Sequence, residues 1–279
     1  MQKLSPIIQP IELINLNSND FVLIDASAGS KTRYIEDHLA GALYIDLNTD
    51  LANINDFAIG GRHPLPTFEQ FADGLKRFGI DKNTHVIIYD DKNSSNAAAR
   101  FWWMLRAIGH EKVQVLNGGF NAAINAGFPT SSKVEEPKTV ENYKITNWNL
   151  PLAYINEVEI ASKTKNQTIV DVRDANRFAG LTEPIDLIAG HIPNAINIPF
   201  TENLDKDGKF LTPTILKEKY TKVLADTKSE NIIVHCGSGV TACHMLLAMD
   251  YAGLEIPKLY VGSWSEWSRN NKDMILAEK

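Results

Sequence analysis

The cysteine at position 236 sits where a side chain could act as a nucleophile. It follows the β-branched run Ile232-Ile233-Val234 and opens Cys236-Gly237-Ser238-Gly239-Val240-Thr241, after which apolar residues recur at a helical spacing (Ala242, Met245, Leu246, Met249). That order predicts a strand, a tight turn and a helix N-terminus. Two glycines let the backbone curl until successive N–H groups face one point, and those dipoles favour an anion there. A cysteine held in that field is in the form that attacks sulfur or carbon. A buried cysteine closing a strand is more often plain core. The complete strand, cysteine, two-glycine loop and helix tips the reading toward function. A phosphate-gripping loop of the tyrosine-phosphatase kind needs an arginine six positions after its cysteine, and here that position is Ala242. The loop Cys236–Thr241, without a guanidinium of its own, suits a smaller or less charged group, such as a sulfane sulfur carried as a persulfide.

The elements that must hold this cysteine come in two similar sets. VLIDAS (22–27) precedes HLAGALYID (38–46), and IVDVRD (169–174) precedes GHIPNAINIP (190–199). HVIIYD (85–90) matches NIIVHC (231–236), and VLNGGFNA (115–122) matches LYVGSWSE (259–266). Asp25 with Asp171 and Asp90 with Cys236 share one offset, 146 (171 − 25 and 236 − 90). Matching features in the same order indicate a duplicated domain. Each copy alternates short apolar strands with helical stretches, clearest at 67–78, 96–108, 153–164, 213–225, 242–251 and 263–270. Strands are expected at 168–172, 196–198, 231–235 and 258–261. Such alternation predicts an α/β fold with mostly parallel sheets flanked by helices. The expected boundaries are a first domain at 1–129, a linker at the polar, aperiodic stretch 130–149, and a second domain at 150–279.

The copies differ where chemistry would occur. Asp90 stands at the position of Cys236, and Asp91–Asn96 contains no glycine. That loop is expected to form an N–H cradle poorly, and a carboxylate does not attack a sulfur donor, so the first domain reads as catalytically silent. His38 and His191 open matching turns in both copies, which argues for a structural role. Arg173 reads as an ion-pair partner, and Trp264 and Trp267 as core.

Composition narrows the classes. The formal net charge is −6 with both signs spread along the chain, so no basic stripe marks a nucleic-acid partner. No apolar run approaches a membrane span, and the first twenty residues lack the continuous apolar stretch of a secretory signal. A disulfide between Cys236 and Cys243 is not expected, which suits a reducing, cytoplasmic setting. His235, Cys236, Cys243 and His244 lack the spacing of a zinc site, so no metal is expected.

The string CGSGVTA (236–242) closely resembles the active-site loop of two-domain rhodanese-family sulfurtransferases, particularly the 3-mercaptopyruvate branch. The resemblance implies two tandem rhodanese-like domains and a ping-pong transfer. Cys236 would take a sulfane sulfur from 3-mercaptopyruvate or thiosulfate as a persulfide. A thiol, a reduced thioredoxin-like protein or cyanide would then remove it, with no organic cofactor. By the same resemblance Arg177 in NRFAG binds the anionic donor beside Gly237, Gly239, Val240 and Thr241. His63 in GGRHPLP faces Ser238, forming a serine-protease-like relay with it. The third, acidic member would fall near Asn48, an amide that orients a histidine without matching its charge. The branch's second arginine, after T-E-P, is absent from Thr182–Ile188, and Arg62 could face either an anion or solvent. The rival readings are a non-catalytic binding or sensing module and a thiol-dependent phosphatase or arsenate reductase. The intact loop weighs against the first, and Ala242 against a phosphatase.

Overall fold

The short apolar runs of each half become strands of a parallel sheet in the computed structural model, which describes residues 4–27, 31–138, 140, 143–164, 166–225 and 227–277. The chain divides into two compact units. One comprises Met1–Asn53, Pro66–Asn149 and Lys206–Phe210, the other Ile54–Leu65, Leu150–Asp205 and Leu211–Lys279.

The first unit holds β1 (Ile7–Ile8), β2 (Val22–Asp25), β3 (His38–Leu39), β4 (Ala42–Tyr44), β5 (Val86–Tyr89), β6 (Val113–Leu116) and β7 (Thr130–Ser131). Five of these form a sheet in the order β1-β6-β5-β2-β4, every pair parallel, while β3 and β7 make a small antiparallel pair. Ile8, Leu23, Ile87, Tyr89 and Leu116 pack into one core. The helix Phe68–Arg77 starts where Thr67 accepts the N–H of Gln70 and Gln70 reaches back, a capping box. Trp148, late in the polar stretch 130–149, lies against the rings of Phe68, Phe71 and Trp103 at centroid distances of 5.4, 5.6 and 6.1 Å.

The second unit holds β8 (Leu152–Ala153), β9 (Thr168–Asp171), β10 (Ile196–Asn197), β11 (Ile232–His235) and β12 (Lys258–Tyr260). Their order is β10-β9-β11-β12-β8, again all parallel. Read from its other end, this is the order of the first sheet, strand for strand, as a duplication requires. From β9 the chain moves outward to β10 on one side and returns to β11 on the other. The carboxyl ends of β9 and β11 therefore flank a point where the winding reverses, the usual place for a ligand in a parallel sheet. The core here comprises Val158, Ile169, Ile233, Tyr260, Trp264 and Trp267.

The helix after β11 spans Ala242–Tyr251, and its residues from Ala242 to Asp250 are buried all round. It is nearly all apolar, as a helix without a solvent face must be. His38 and His191 repeat one geometry. Each ring stacks on the aromatic residue before its turn, Tyr34 at 3.8 Å and Phe178 at 3.9 Å, and each Nδ1 meets that residue's carbonyl. Among the described residues no helix is long and apolar enough to cross a membrane.

Candidate active site

Cys236 directly follows β11 at the centre of its sheet and is 1% exposed. The segment after β12 stitches it in place. Its N–H donates to Ser263 Oγ at 3.1 Å, its carbonyl accepts from Trp264 N–H at 3.0 Å, and the Gly237 carbonyl accepts from Ser265 N–H at 2.9 Å. Ser263 adopts φ +53°, where its duplicate position holds Gly119 at φ +61°. A side chain is thus kept in a region that favours glycine, and its hydroxyl bridges Cys236 N–H to the Tyr260 carbonyl. The loop closes through Gly239 at φ +72°, where a Cβ would stand 2.4 Å from the Val261 carbonyl oxygen. The Cys243 N–H then donates to the Val240 carbonyl, and the helix starts with its N-terminal dipoles at the loop.

Ser238 is buried, and His63 Nδ1 lies 2.8 Å from its Oγ. His63 comes from Ile54–Leu65, a segment of the chain's first half that belongs to the same compact unit as the cysteine. Backbone bonds hold the segment. Gly60 N–H donates to Glu266 Oε1 at 2.7 Å and Arg62 N–H to Ser265 Oγ at 3.0 Å. Between them Gly61, at φ +76°, passes so close to Gly262 that a Cβ would meet its carbonyl oxygen at 2.3 Å. Asn48 belongs to the other unit, where its N–H donates to Asp46 Oδ1 at 2.8 Å.

Arg62 and Arg177 both reach the residue after the cysteine. A Cβ on Gly237 would stand 3.2 Å from an Arg62 Nη and 3.4 Å from an Arg177 Nη. Two buried carboxylates orient them. Glu183 accepts from Arg177 Nη2 at 2.7 Å and Nε at 3.3 Å. Asp186 pairs with Arg62, with Arg269 at 3.2 Å and with Arg177 at 3.5 Å. Burial pushes the Glu183 carboxyl up, but Arg177 and the N–H groups of Asp186 and Ile185 outweigh it and hold it below the usual range. Deeper in, Arg173 spans Asp171, Glu183 and the Gly190 carbonyl, with its guanidinium over the Trp264 ring. Burial raises Asp171, and the charge and hydrogen bonds of Arg173 act against that and help hold its carboxyl below the usual range. His235 is pushed down by burial, against the pull of Asp171, which favours a neutral ring beneath the cysteine.

The matching place in the first unit is filled differently. Asp90 is fully buried, and its carboxylate accepts N–H groups from Lys92 at 2.8 Å, Asn96 at 3.0 Å and Ala98 at 3.2 Å. The loop without glycine was expected to form a cradle poorly. Instead Asn93 and Ser94 take positive φ of 58° and 60°, and N–H groups do converge, on the chain's own carboxylate. Burial pushes Asp90 up to about 6 against those three bonds, so it is mainly ionised at neutral pH.

The sequence-predicted residues Cys236, Gly237, Ser238, Gly239, Val240, Thr241, Arg177 and His63 thus all lie in one compact unit. Sequence reasoning left Arg62 open and missed Asp186, Arg269 and Ser263. Ser263 had a signal, as the one glycine of VLNGGFNA that its repeat replaces with a side chain.

The comparisons with known proteins agree with the duplication. The profile of the Rhodanese-like domain matches residues 11–126 and again 155–270. The chain is 37% identical over 88% of its length to a probable 3-mercaptopyruvate sulfurtransferase of Pseudomonas aeruginosa, 86% of which is covered. It is 34% identical over 86% of its length to a thiosulfate sulfurtransferase of Mus musculus, 80% of which is covered. Among solved structures, a 3-mercaptopyruvate sulfurtransferase from Leishmania major superposes with a TM-score of 0.81 at 28% identity, over 94% of this chain and 74% of that one.

Proposed function

Starting from the rhodanese family, to which this chain belongs as a pair of rhodanese-like domains, we propose that it is a sulfurtransferase moving a sulfane sulfur from 3-mercaptopyruvate or thiosulfate to a thiol or cyanide through a persulfide on Cys236. The observation that carries the reading is the pair of guanidiniums, Arg62 and Arg177, set against Gly237 beside a cysteine at a helix N-terminus. Those cations would hold the anionic end of the donor while its sulfur reaches the Cys236 thiolate.

With 3-mercaptopyruvate, the thiolate attacks the donor's sulfur. The S–S bond forms as the C–S bond breaks, and the electron pair passes to the departing carbon as an enolate. Protonation of that carbon gives pyruvate, the proton coming from the donor thiol. Ser238 and His63, 2.8 Å apart, are placed to relay it. With thiosulfate the same attack expels sulfite and no proton moves. The Cys236 loop N–H groups offset the charge on the outer sulfur of the persulfide. In the second half-reaction a thiolate, from a small thiol or a thioredoxin-like protein, or cyanide attacks that outer sulfur and releases Cys236. The loop itself carries no cation, so a donor with one carboxylate fits it better than a dianion; both donors are used, with 3-mercaptopyruvate modestly ahead. The first domain is silent because Asp90 occupies its own cradle. A reducing, cytoplasmic setting suits the thiols of Cys236 and Cys243, which no disulfide joins.

Mass spectrometry after donor treatment tests the reading. The wild type gains one sulfur on Cys236, and Cys236→Ser, with its fold intact, gains none and transfers none. Sulfur mapped to Cys243, or a serine variant that keeps its rate, overturns it.

A further inference from the structure

We infer that the buried carboxylate of Asp186, through its hold on Arg62 and Arg177, sets which donor charge the site accepts; this rests on the sulfurtransferase reading. Four guanidiniums (Arg62, Arg173, Arg177, Arg269) and three carboxylates (Asp171, Glu183, Asp186) form one continuous ion-pair network. Its net charge is a single positive unit. The acids are buried, with the side chains of Asp171 and Asp186 fully enclosed and that of Glu183 3% exposed, and Arg173 is buried among them at 1%. Arg62, Arg177 and Arg269 keep 15, 17 and 14% of their side chains open to solvent. Three of the four cations thus reach solvent, two of them beside Gly237, while the anions and Arg173 stay enclosed behind them.

Asp186 is the hub of this arrangement. Its Oδ1 takes both Arg62 and Arg269, while Oδ2 finds no hydrogen-bond donor among the described residues and has Arg177 Nη2 at 3.5 Å. The stretch Pro184–Ile188 supplies no cation of its own. The second cation at Gly237 comes instead from the distant segment 54–65 and is anchored by Asp186. Two arginines at the donor position suggest a dianion site, but the acids behind them cancel most of that charge. The energy of an anion in the resulting potential scales with its own charge, so each unit added to or removed from the network acts twice as strongly on thiosulfate as on 3-mercaptopyruvate. With only one net positive charge the network favours the monoanion.

The experiment is the ratio of kcat/KM for thiosulfate to that for 3-mercaptopyruvate in the wild type, Asp186→Asn, Arg62→Gln and the double variant. Asp186→Asn is expected to move the ratio toward thiosulfate by roughly tenfold, the effect of one extra unit charge at close range in a partly solvated site. Arg62→Gln moves it the other way by a similar factor, and the double variant returns close to the wild-type value. Glu183→Gln, which removes the same charge elsewhere in the network, moves the ratio as Asp186→Asn does and serves if the latter folds poorly. A merely structural role lowers both donors together and leaves the ratio unmoved, which overturns the inference, as do single variants shifting in the same direction. Calorimetric titration of Cys236→Ser with sulfate and with pyruvate separates this inference from the activity it rests on. Adding Asp186→Asn to that variant tightens sulfate relative to pyruvate if the charge argument holds, even should the wild type transfer sulfur from neither donor. Normal turnover with no shift in either measurement sinks the charge argument alone.

Discussion

Acid should loosen the helix that carries the cysteine loop, and His244 is the group that makes it do so. It sits in the first turn of the helix Ala242–Tyr251, its backbone N–H donating to the Thr241 carbonyl at the loop's end. The ring is fully buried, with Nδ1 3.4 Å from Asn203 Nδ2 and its edge toward Phe200. Burial, with the Lys219 charge acting in the same direction, pushes its pKa down to about 3 from the ordinary 6.5. Between those values the unfolded chain binds a proton that the folded chain refuses. The stabilisation is therefore complete above about pH 6.5, falls as the pH drops, and levels off near 3. At about 1.36 kcal/mol per unit, the loss amounts to roughly 2 kcal/mol at pH 5 and 4–5 kcal/mol in full. Urea unfolding followed by tryptophan fluorescence at pH 7.5 and pH 5.0 measures it, comparing the wild type with His244→Gln, which has no proton to take up. The wild type should lose about 2 kcal/mol more than the variant on acidification. His235 shifts in the same direction, so the variant keeps part of the slope, and only the difference belongs to His244. Equal acid losses in the two proteins would refute the reasoning.

The remaining predictions concern the loops and the donor. Asp90→Cys should leave the sulfur load at one per chain, because the repeat loop is shaped around a carboxylate with three N–H bonds; a doubled load by mass spectrometry would show that unit to be competent. Gly239→Ala places a Cβ 2.4 Å from the Val261 carbonyl oxygen at φ +72°, so it should cost at least about 1–2 kcal/mol in unfolding experiments and sharply reduce persulfide formation. Normal loading in that variant would mean that the loop closes in another way. Arg177→Ala should raise KM for both donors by about tenfold, the loss of one charge-assisted contact. An unchanged KM for both would remove Arg177 from the donor site.

Much of this was local enough to be legible in the sequence. A strand, a two-glycine turn and a helix are each specified by neighbours in the chain, which is why the helix at 242–251 occurs at the limits its apolar spacing indicates. The 146-residue offset between Asp25 and Asp171 reappears in β2 and β9, and that between Asp90 and Cys236 follows β5 and β11. Duplicated sequence carries duplicated strand order, and the alternation of strands and helices within each copy was enough to read the fold class. The predicted ends of other helices overran by a few residues, as at 263–270 against Ser263–Trp267, since apolar spacing does not record where backbone bonding stops. The charge of the site was beyond such reading. Arg62 meets Asp186 across 124 positions, and His63 meets Ser238 across 175. Nothing in the residues around Arg62 distinguishes a solvated cation from one clamped beside Gly237. Likewise the run DKNSSN contains no sign that Asn93 and Ser94 would turn left-handed and close on Asp90. Local propensity follows from a residue's own backbone and its near neighbours, whereas the net charge at a point in space is the sum over every group that folding brings there. The sequence therefore singled out Cys236 as the candidate nucleophile, and only the tertiary structure decided which cations and buried acids surround it.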